Sequence, residues 1–466
     1  MVVSLSFGQT AIQLNEHFSS LNSYQHSANM VYNRDTSVTV FPSFYFQTHL
    51  ILPYSQASMF TRDSENSKYF LDFTKMDKRS TKWRHMFADA EFKWLQVVTN
   101  FKGTVWSFSV EDRAYFTSGF EKKMFSFFNK GNKSFLNQSV EFEVPTSGMH
   151  FRSFELTWAK PLNQKIDFAI TGKIYSGRSF LHINPVFSVF TQADAEYIDI
   201  GIQTEGRSSL PVCLANVDGL VSRMKSQFSS GDYLFGFQNP GLGFNLSINY
   251  HFQSNITFWG DLIDVGMIMW RKDINNLVLN KIYNWDGVDV SGVLNSSDGL
   301  FSFDGLTKFA VKDSLLNGLE TDSPKPFITS VPTTFVVGAS YDYSPVLRFE
   351  CSNQLQFLRY NVRDLFSLSA GYKLREKWML WSGLTLQNQS WFDIPVGFEY
   401  FGEKLLVEAK INNAWGLVLP GLNRNFGASF AIKYRFNFEF KPSKKYIDNS
   451  DEEYPFFDPY EGYDYQ

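Results

Sequence analysis

Apolar and polar side chains alternate without a break from Asn425 to Lys441. Phe426, Ala428, Phe430, Ile432, Tyr434, Phe436, Phe438 and Phe440 fall on one face of an extended strand, and Asn425, Ser429, Lys433, Arg435, Asn437, Glu439 and Lys441 on the other. The pattern recurs. Phe335, Val337, Ala339, Tyr341 and Tyr343 alternate with Thr334, Gly338, Ser340 and Asp342; Leu347, Phe349, Cys351, Leu355 and Phe357 alternate with Arg348, Glu350, Ser352, Gln354 and Gln356. Phe366, Leu368, Ala370, Tyr372 and Leu374 oppose Ser367, Ser369, Gly371, Lys373 and Arg375, and Leu405, Val407, Ala409 and Ile411 oppose Leu406, Glu408, Lys410 and Asn412. Strands this long, with apolar faces full of Phe and Tyr, fit a lipid-facing wall around a polar lumen better than one layer of a soluble sandwich.

The expected fold is therefore all-β, a transmembrane antiparallel up-and-down β-barrel of about 14–16 strands with short periplasmic turns and long extracellular loops. Short turns are expected near Asn100–Gly103, Lys160–Lys165, Thr191–Asp194, Gln253–Asn255, Ser344–Val346, Arg375–Lys377 and Phe401–Lys404, with a tight Gly-containing connection at Ser176–Ser179 on the loop side. Longer loops are expected over 53–89, 111–149, 205–239 and 271–330, the last carrying a loosely amphipathic helix at Leu306–Leu319. In outline, 1–8 (MVVSLSFG) reads as the end of a signal peptide, 9–35 as a periplasmic segment or hatch, 36–441 as the barrel, and 442–466 as an acidic, aromatic periplasmic tail.

Composition sharpens this picture. Aromatic residues make up 18% of the 466-residue chain, with 49 Phe, yet charged residues reach 19%, the combination expected when each lipid-facing side chain is offset by a lumen-facing one. No stretch approaches the roughly 20 apolar residues of a spanning helix. The 43 basic and 47 acidic residues leave a net charge of −4 and no basic face, so nucleic acid is not an expected partner. Cys213 and Cys351 imply neither a disulfide framework nor a metal knuckle.

Arg348, Glu350, Lys373, Glu408, Lys410, Lys433, Arg435 and Glu439 are the lumen-facing candidates, and their interspersed signs favour mutual pairing over solute selection. Glu111, Asp112 and Arg113 fall at the end of a strand, where they either brace a rim or line a solvated loop entrance. Asp286, Asp289, Asp298 and Asp304 lack the spacing of a calcium loop and read as turn chemistry. There is no G-x-S-x-G, H-E-x-x-H, phosphate-loop or dinucleotide fingerprint, and seven scattered histidines show no ligand spacing, so neither an enzyme nor a cofactor is expected. In the tail, Tyr454, Phe456, Phe457 and Tyr460 among carboxylates are candidate anchors for a partner.

VTVFPSFYF at 38–46, WSFSVEDRA at 106–114, FRSFELTWAKPLNQKIDFAITGKIYSG at 151–177, GLGFNLSINYHFQSNITFWGDLIDVGMIMW at 241–270, WDGVDVSGVLNSSD at 285–298 and NRNFGASFAIKYRF at 423–436 resemble an uncharacterised outer-membrane barrel family of Bacteroidota, akin to FadL-like and PorV or PorP/SprF-type barrels. Such barrels often carry Asn-Pro-Ala near the mature N-terminus, where this chain has SANM at 27–30. The resemblance implies an address in the bacterial outer membrane and a non-enzymatic role as a structural or accessory subunit of a secretion, gliding or assembly machine. Its partners would be outer-membrane lipid and other envelope proteins. A FadL-like channel for hydrophobic small molecules is the alternative.

Overall fold

The alternating segments pair, each with its neighbour in the circuit, into one antiparallel sheet that closes on itself. The computed structural model describes residues 28, 39–41, 44–62, 69–79, 82–101, 104–192, 198–210, 231, 236–285, 320–322, 325–360, 362–375, 377–387, 390–402 and 405–434. Among these, 21 strands share the sheet. The closed circuit runs through β1 (Phe44–Ile51), β2 (Trp83–Phe101), β3 (Thr104–Glu121), β4 (Thr146–Asn163), β5 (Ile166–Thr191), β6 (Pro240–Gln253) and β7 (Ile256–Trp270). It continues through β8 (Thr333–Ser344), β9 (Leu347–Phe357), β10 (Val362–Leu374), β11 (Trp378–Gln387), β12 (Val396–Phe401), β13 (Leu405–Ile411) and β14 (Asn425–Tyr434). Pairing of β14 with β1, from Phe44↔Ile432 to Ile51↔Asn425, closes the ring and leaves the barrel without a free edge.

Along β9, burial follows the period of two. Arg348, Glu350, Ser352, Gln354 and Gln356 are buried, whereas Phe349 and Phe357 on the opposite face are exposed. The exposed set continues around the wall with Leu156, Ile174, Ile248, Val337, Leu368 and Leu384, and aromatic residues crowd its turn end, where Tyr341 meets Tyr343 and Trp378 meets Tyr400. An apolar belt bordered by aromatics is the outer surface of a transmembrane barrel. No helix among the described residues is long and apolar enough to cross a membrane. Polar side chains on the outward face pair with each other: Arg152 grips Asp112 through Nε (2.8 Å) and Nη2 (2.6 Å), with its guanidinium 5.4 Å over the Trp94 ring, and Asn353 Nδ2 donates to Asp364 Oδ1 at 3.0 Å.

Two expected connections are corrected. Ser176–Ser179 is not a turn: β5 runs 26 residues straight through it. A Cβ on Gly177 would lie 2.7 Å from the Trp270 ring, and a register shift opposite His150 and Phe151 absorbs an extra residue, so the glycine marks close packing and a bulge. Of the periplasmic turn expected at Thr191–Asp194, 193–194 fall outside the described residues, and Thr191 and Gln192 accordingly lie at the loop end. There the upper half of β5 pairs with strands Ser139–Glu143 and Ile198–Ser209, the latter with Ile274–Trp285, and that with Glu320–Asp322, forming a rim sheet. Fusing two expected strands and moving a third to the rim leaves fourteen strands in the circuit, within the expected 14–16.

The segment expected as a loop over 111–149 also contracts, because β3 continues to Glu121 and β4 begins at Thr146. Besides the rim strand Ser139–Glu143, what remains includes a helix, Lys122–Lys130, that packs Phe125 against Tyr54 and Met76 of the β1–β2 connection. Asp72 caps the helix Phe73–Arg79 by accepting the Lys75 N–H (3.0 Å), and Asp77 accepts from Ser126 Oγ (2.5 Å) and Asn129 Nδ2 (3.0 Å) across to the other helix. Together these helices form a cap at the loop end. The expected helix at Leu306–Leu319 and the aspartates at 286, 289, 298 and 304 lie outside the described residues.

Candidate functional site

The inward faces of β2 to β5 carry charged residues placed so that opposite signs meet directly across the ladder. Glu91 is in register with Arg113, Lys93 with Glu111, and Glu155 with Lys173. Lys93 Nζ lies 3.1 Å from Glu111, Arg113 Nη2 3.9 Å from Glu91, and Lys173 Nζ 2.9 Å from Glu155. Arg113 also contacts Glu111 through Nε. All of these side chains are nearly inaccessible to solvent.

Asp264 joins the two halves of this network. Its carboxylate accepts from Lys173 Nζ at 2.7 Å, from Tyr175 Oη at 3.3 Å and from Arg113 Nη1. It reaches that point from β7, on the far side of β6, because a register shift between Phe244/Val265 and Leu246/Leu262 swells the strand there. Asp264 has φ of 58°, in the left-handed region that a side chain seldom occupies. Its N–H bonds Asn245 Oδ1 (2.8 Å) and its carbonyl accepts from Thr333 (3.2 Å), so the conformation is held from both neighbouring strands. Ser109 and Ser153 donate to the two oxygens of Glu155 at 3.2 and 2.8 Å. Paired and hydrogen-bonded in this way, the charges form a buried polar core on the inward faces of β2 to β5 and β7.

Above this layer, towards the loop end, the lumen is filled by Phe87, Tyr115, Met149, Phe151, Tyr175, Phe180, Ile268, Trp270, Phe327 and Val331. Trp270 Nε1 donates to Thr329 Oγ1 at 2.8 Å, and Arg363 lies 4.3 Å over the Phe87 ring. Below the ionic layer, Val98, Val105, Ala159 and Ala169 surround Ala28, which is fully buried among them.

The candidates named from the sequence are distributed as follows. Arg348, Glu350, Glu408 and Lys410 are buried on the inward face of β9 and β13. Arg348 lies 3.4 Å from Asp342, 3.8 Å from Glu350 and 2.6 Å from Ser340 Oγ, while Lys410 contacts Glu408. Lys373 is half-buried near the turn end of β10. Lys433 belongs to β14, and Arg435, Glu439, Tyr454, Phe456, Phe457 and Tyr460 lie outside the described residues. Glu111 and Arg113 brace no rim and line no loop entrance: they sit at the centre of the ionic layer, because β3 extends past them, and Asp112 points to the outer face. The expected lumen set lacks Glu91, Lys93, Glu155, Lys173 and Asp264. The runs Glu91-Phe92-Lys93 and Glu111-Asp112-Arg113 held the available signal, a charge at every second position within an aromatic strand.

No group of three or more His, Cys, Asp or Glu among the described residues is arranged to hold a metal ion. No curated protein sequence matches the chain significantly. Solved structures with which it shares similarity include the toluene transporter TodX of Pseudomonas putida, at 8% identity and a TM-score of 0.41 over 91% of this chain and 95% of that one. A Pseudomonas aeruginosa FadL homologue aligns at 9% identity and a TM-score of 0.40 over 93% and 98%. The toluene transporter TbuX of Ralstonia pickettii aligns at 9% and 0.38 over 88% and 94%. At the level of sequence families, residues 29–402 match the model of DUF5723, a family of unknown function, and the chain belongs to that family.

Proposed function

We propose that this protein is a non-enzymatic β-barrel of the bacterial outer membrane that acts as a structural or accessory subunit of a cell-envelope machine, with its loops outside the cell and its turns in the periplasm. The observation that carries this reading is the ionic layer. A conducting lumen leaves its charges hydrated and available to a solute, whereas Lys93, Arg113 and Lys173 are each engaged by carboxylates of the wall and shielded from solvent. A barrel closed by its own side chains offers its loops, rim sheet and termini as working surfaces. Within this reading, residues 9–35 act as a hatch, for which the burial of Ala28 against four strands is the support, and the tail at 442–466 docks an envelope partner through Tyr454, Phe456, Phe457 and Tyr460.

A second reading, a channel for hydrophobic small molecules, draws on the aromatic cluster around Trp270, Phe180 and Phe327, an apolar environment inside the loop end of the lumen. One pair of measurements separates the two. Affinity purification from native outer membranes should recover an envelope protein in stoichiometric amount, and the purified barrel in liposomes should not accelerate entry of a monoaromatic hydrocarbon. Accelerated entry with no co-purifying protein would replace the first reading by the second.

A further inference from the structure

The connection from β13 to β14 is apolar where a surface loop is ordinarily polar. From Asn412 to Asn423 it contains no charged residue, and Trp415, Leu417, Val418 and Leu422 are 48%, 68%, 67% and 59% exposed. The loop is not loose. Asn412 N–H bonds Gly427 O of β14 (2.9 Å) and Ala414 N–H bonds Ile394 O just before β12 (2.7 Å), tying the loop down on both sides, and Asn413 Nδ2 bonds Asp393 Oδ1 (2.7 Å) and Asn423 Oδ1 (2.9 Å). Gly416 fits against Asn423, whose amide lies where a Cβ would be.

This loop stands above a low point of the wall. β13 has seven residues, and its last, Ile411, pairs with Ala428, three positions short of the start of β14. Seven residues at about 3.4 Å each, tilted by about 40°, rise roughly 18 Å, against an apolar belt of roughly 25 Å in barrels of this kind. Strands elsewhere, such as β3 and β4 at 18 residues, overshoot that height. Exposed Ile411, Val396 and Phe392 bring the outward apolar face up to the foot of the loop, and Trp415, Leu417, Val418 and Leu422 carry it higher.

We propose that Trp415–Leu422 is a lipid-binding loop that inserts into the bilayer leaflet on the loop side and completes the belt where β13 falls short, with acyl chains as its ligand and Trp415 at the headgroup boundary. The inference rests on the membrane-spanning reading of the barrel, and it is continuous with the lipid-facing wall at Ile411. An apolar, uncharged segment anchored at both ends presents its side chains to hydrocarbon without unfolding, as interfacial segments do.

The test uses the full chain with Cys213→Ser and Cys351→Ser, reconstituted in phosphatidylcholine vesicles and carrying an environment-sensitive fluorophore at Leu417→Cys or, as an independent position, Val418→Cys. Leu384→Cys in the belt and Lys377→Cys in a turn are the references. The loop labels should emit to the blue of the Lys377 label, be quenched by spin-labelled lipid and resist iodide. Iodide quenching at 417 and 418, with the Leu384 label still quenched by lipid, would overturn the proposal alone. Protection from both quenchers that disappears on dilution of protein into lipid would indicate a second copy as occupant and would also overturn it. Iodide quenching at Leu384 would instead overturn the membrane-spanning reading.

Discussion

Replacing Arg113 by methionine removes the cation that three carboxylates share. Its guanidinium contacts Glu111 and Asp264 and lies 3.9 Å from Glu91. At that last distance a pair interacts by about 4 kcal/mol at an effective dielectric constant of about 20, and the three contacts do not add, because the carboxylates repel one another. The larger effect is what remains: carboxylates without their counter-ion, buried where Lys93 and Lys173 already serve Glu111, Glu155 and Asp264. Breaking a buried pair by deleting one partner costs about 3–5 kcal/mol, and that is the destabilisation expected here. The assay is urea unfolding of the detergent-solubilised barrel, followed by its heat-modifiable migration on gels and by tryptophan emission. A companion variant, Arg113→Met with Asp264→Asn, removes one excess charge and should recover part of the loss. If Arg113→Met unfolds within about 1 kcal/mol of the parent, the layer is hydrated and unpaired, and the argument for a closed lumen fails.

Three further outcomes follow from the packing. Gly177→Ala places a methyl 2.7 Å from the Trp270 ring and should destabilise by about 1–3 kcal/mol, whereas Gly172→Ala, which meets nothing within 4 Å, should be nearly neutral in the same unfolding assay. In the loop-end cap, burial tends to raise the carboxyl of Asp77, but hydrogen bonds from Ser126 and Asn129 outweigh it and hold the group below the ordinary aspartate range; Asp72 is lowered chiefly by the Thr61 hydroxyl. The folded form therefore binds these protons less readily, so the contribution is complete above about pH 4 and is lost as pH falls through the lowered values; proteolysis of the connection at 52–82 should accelerate in that acid range, Asp77→Asn should weaken the dependence, and Asp77→Asn with Asp72→Asn should remove it. For the hatch, Ala28→Cys with Ala159→Cys, in a background without Cys213 and Cys351, should form a disulfide on mild oxidation, and failure to do so while the barrel remains folded would refute the placement of that segment in the lumen.

The wall was legible in the sequence because a strand exposed to lipid on one face and a polar interior on the other must alternate. Phe335, Val337 and Tyr341 declare one face of β8 as plainly as Arg348, Glu350 and Gln354 declare the other face of β9. Alternation cannot say where a strand ends when a charged run continues it, which is why Glu111–Arg113 read as an exit from the barrel. It also cannot separate a glycine that turns the chain from one that yields to a ring. At Gly177 the distinguishing partner is Trp270, 93 residues away in the chain, and no local pattern reports it. The rim sheet was hidden for a similar reason: β5 changes neighbours partway along, pairing first with β6 and then with Ile198–Ser209, while its own pattern continues.

Asp264 shows how a local irregularity can organise a whole cross-section. An aspartate in the left-handed region costs on the order of 1 kcal/mol or more on its own, and a bulge in a barrel strand forfeits ladder hydrogen bonds. Both costs are offset only if the carboxylate lands where it finishes a charge network, and here it lands within reach of Arg113, Lys173 and Tyr175, from strands on the other side of β6. A one-residue slip of β7 would carry the carboxylate out of the lumen and set an acid on the lipid face, so the network also penalises the wrong register. The lumen charges thus act twice, neutralising one another in the interior and fixing how the wall is assembled around it.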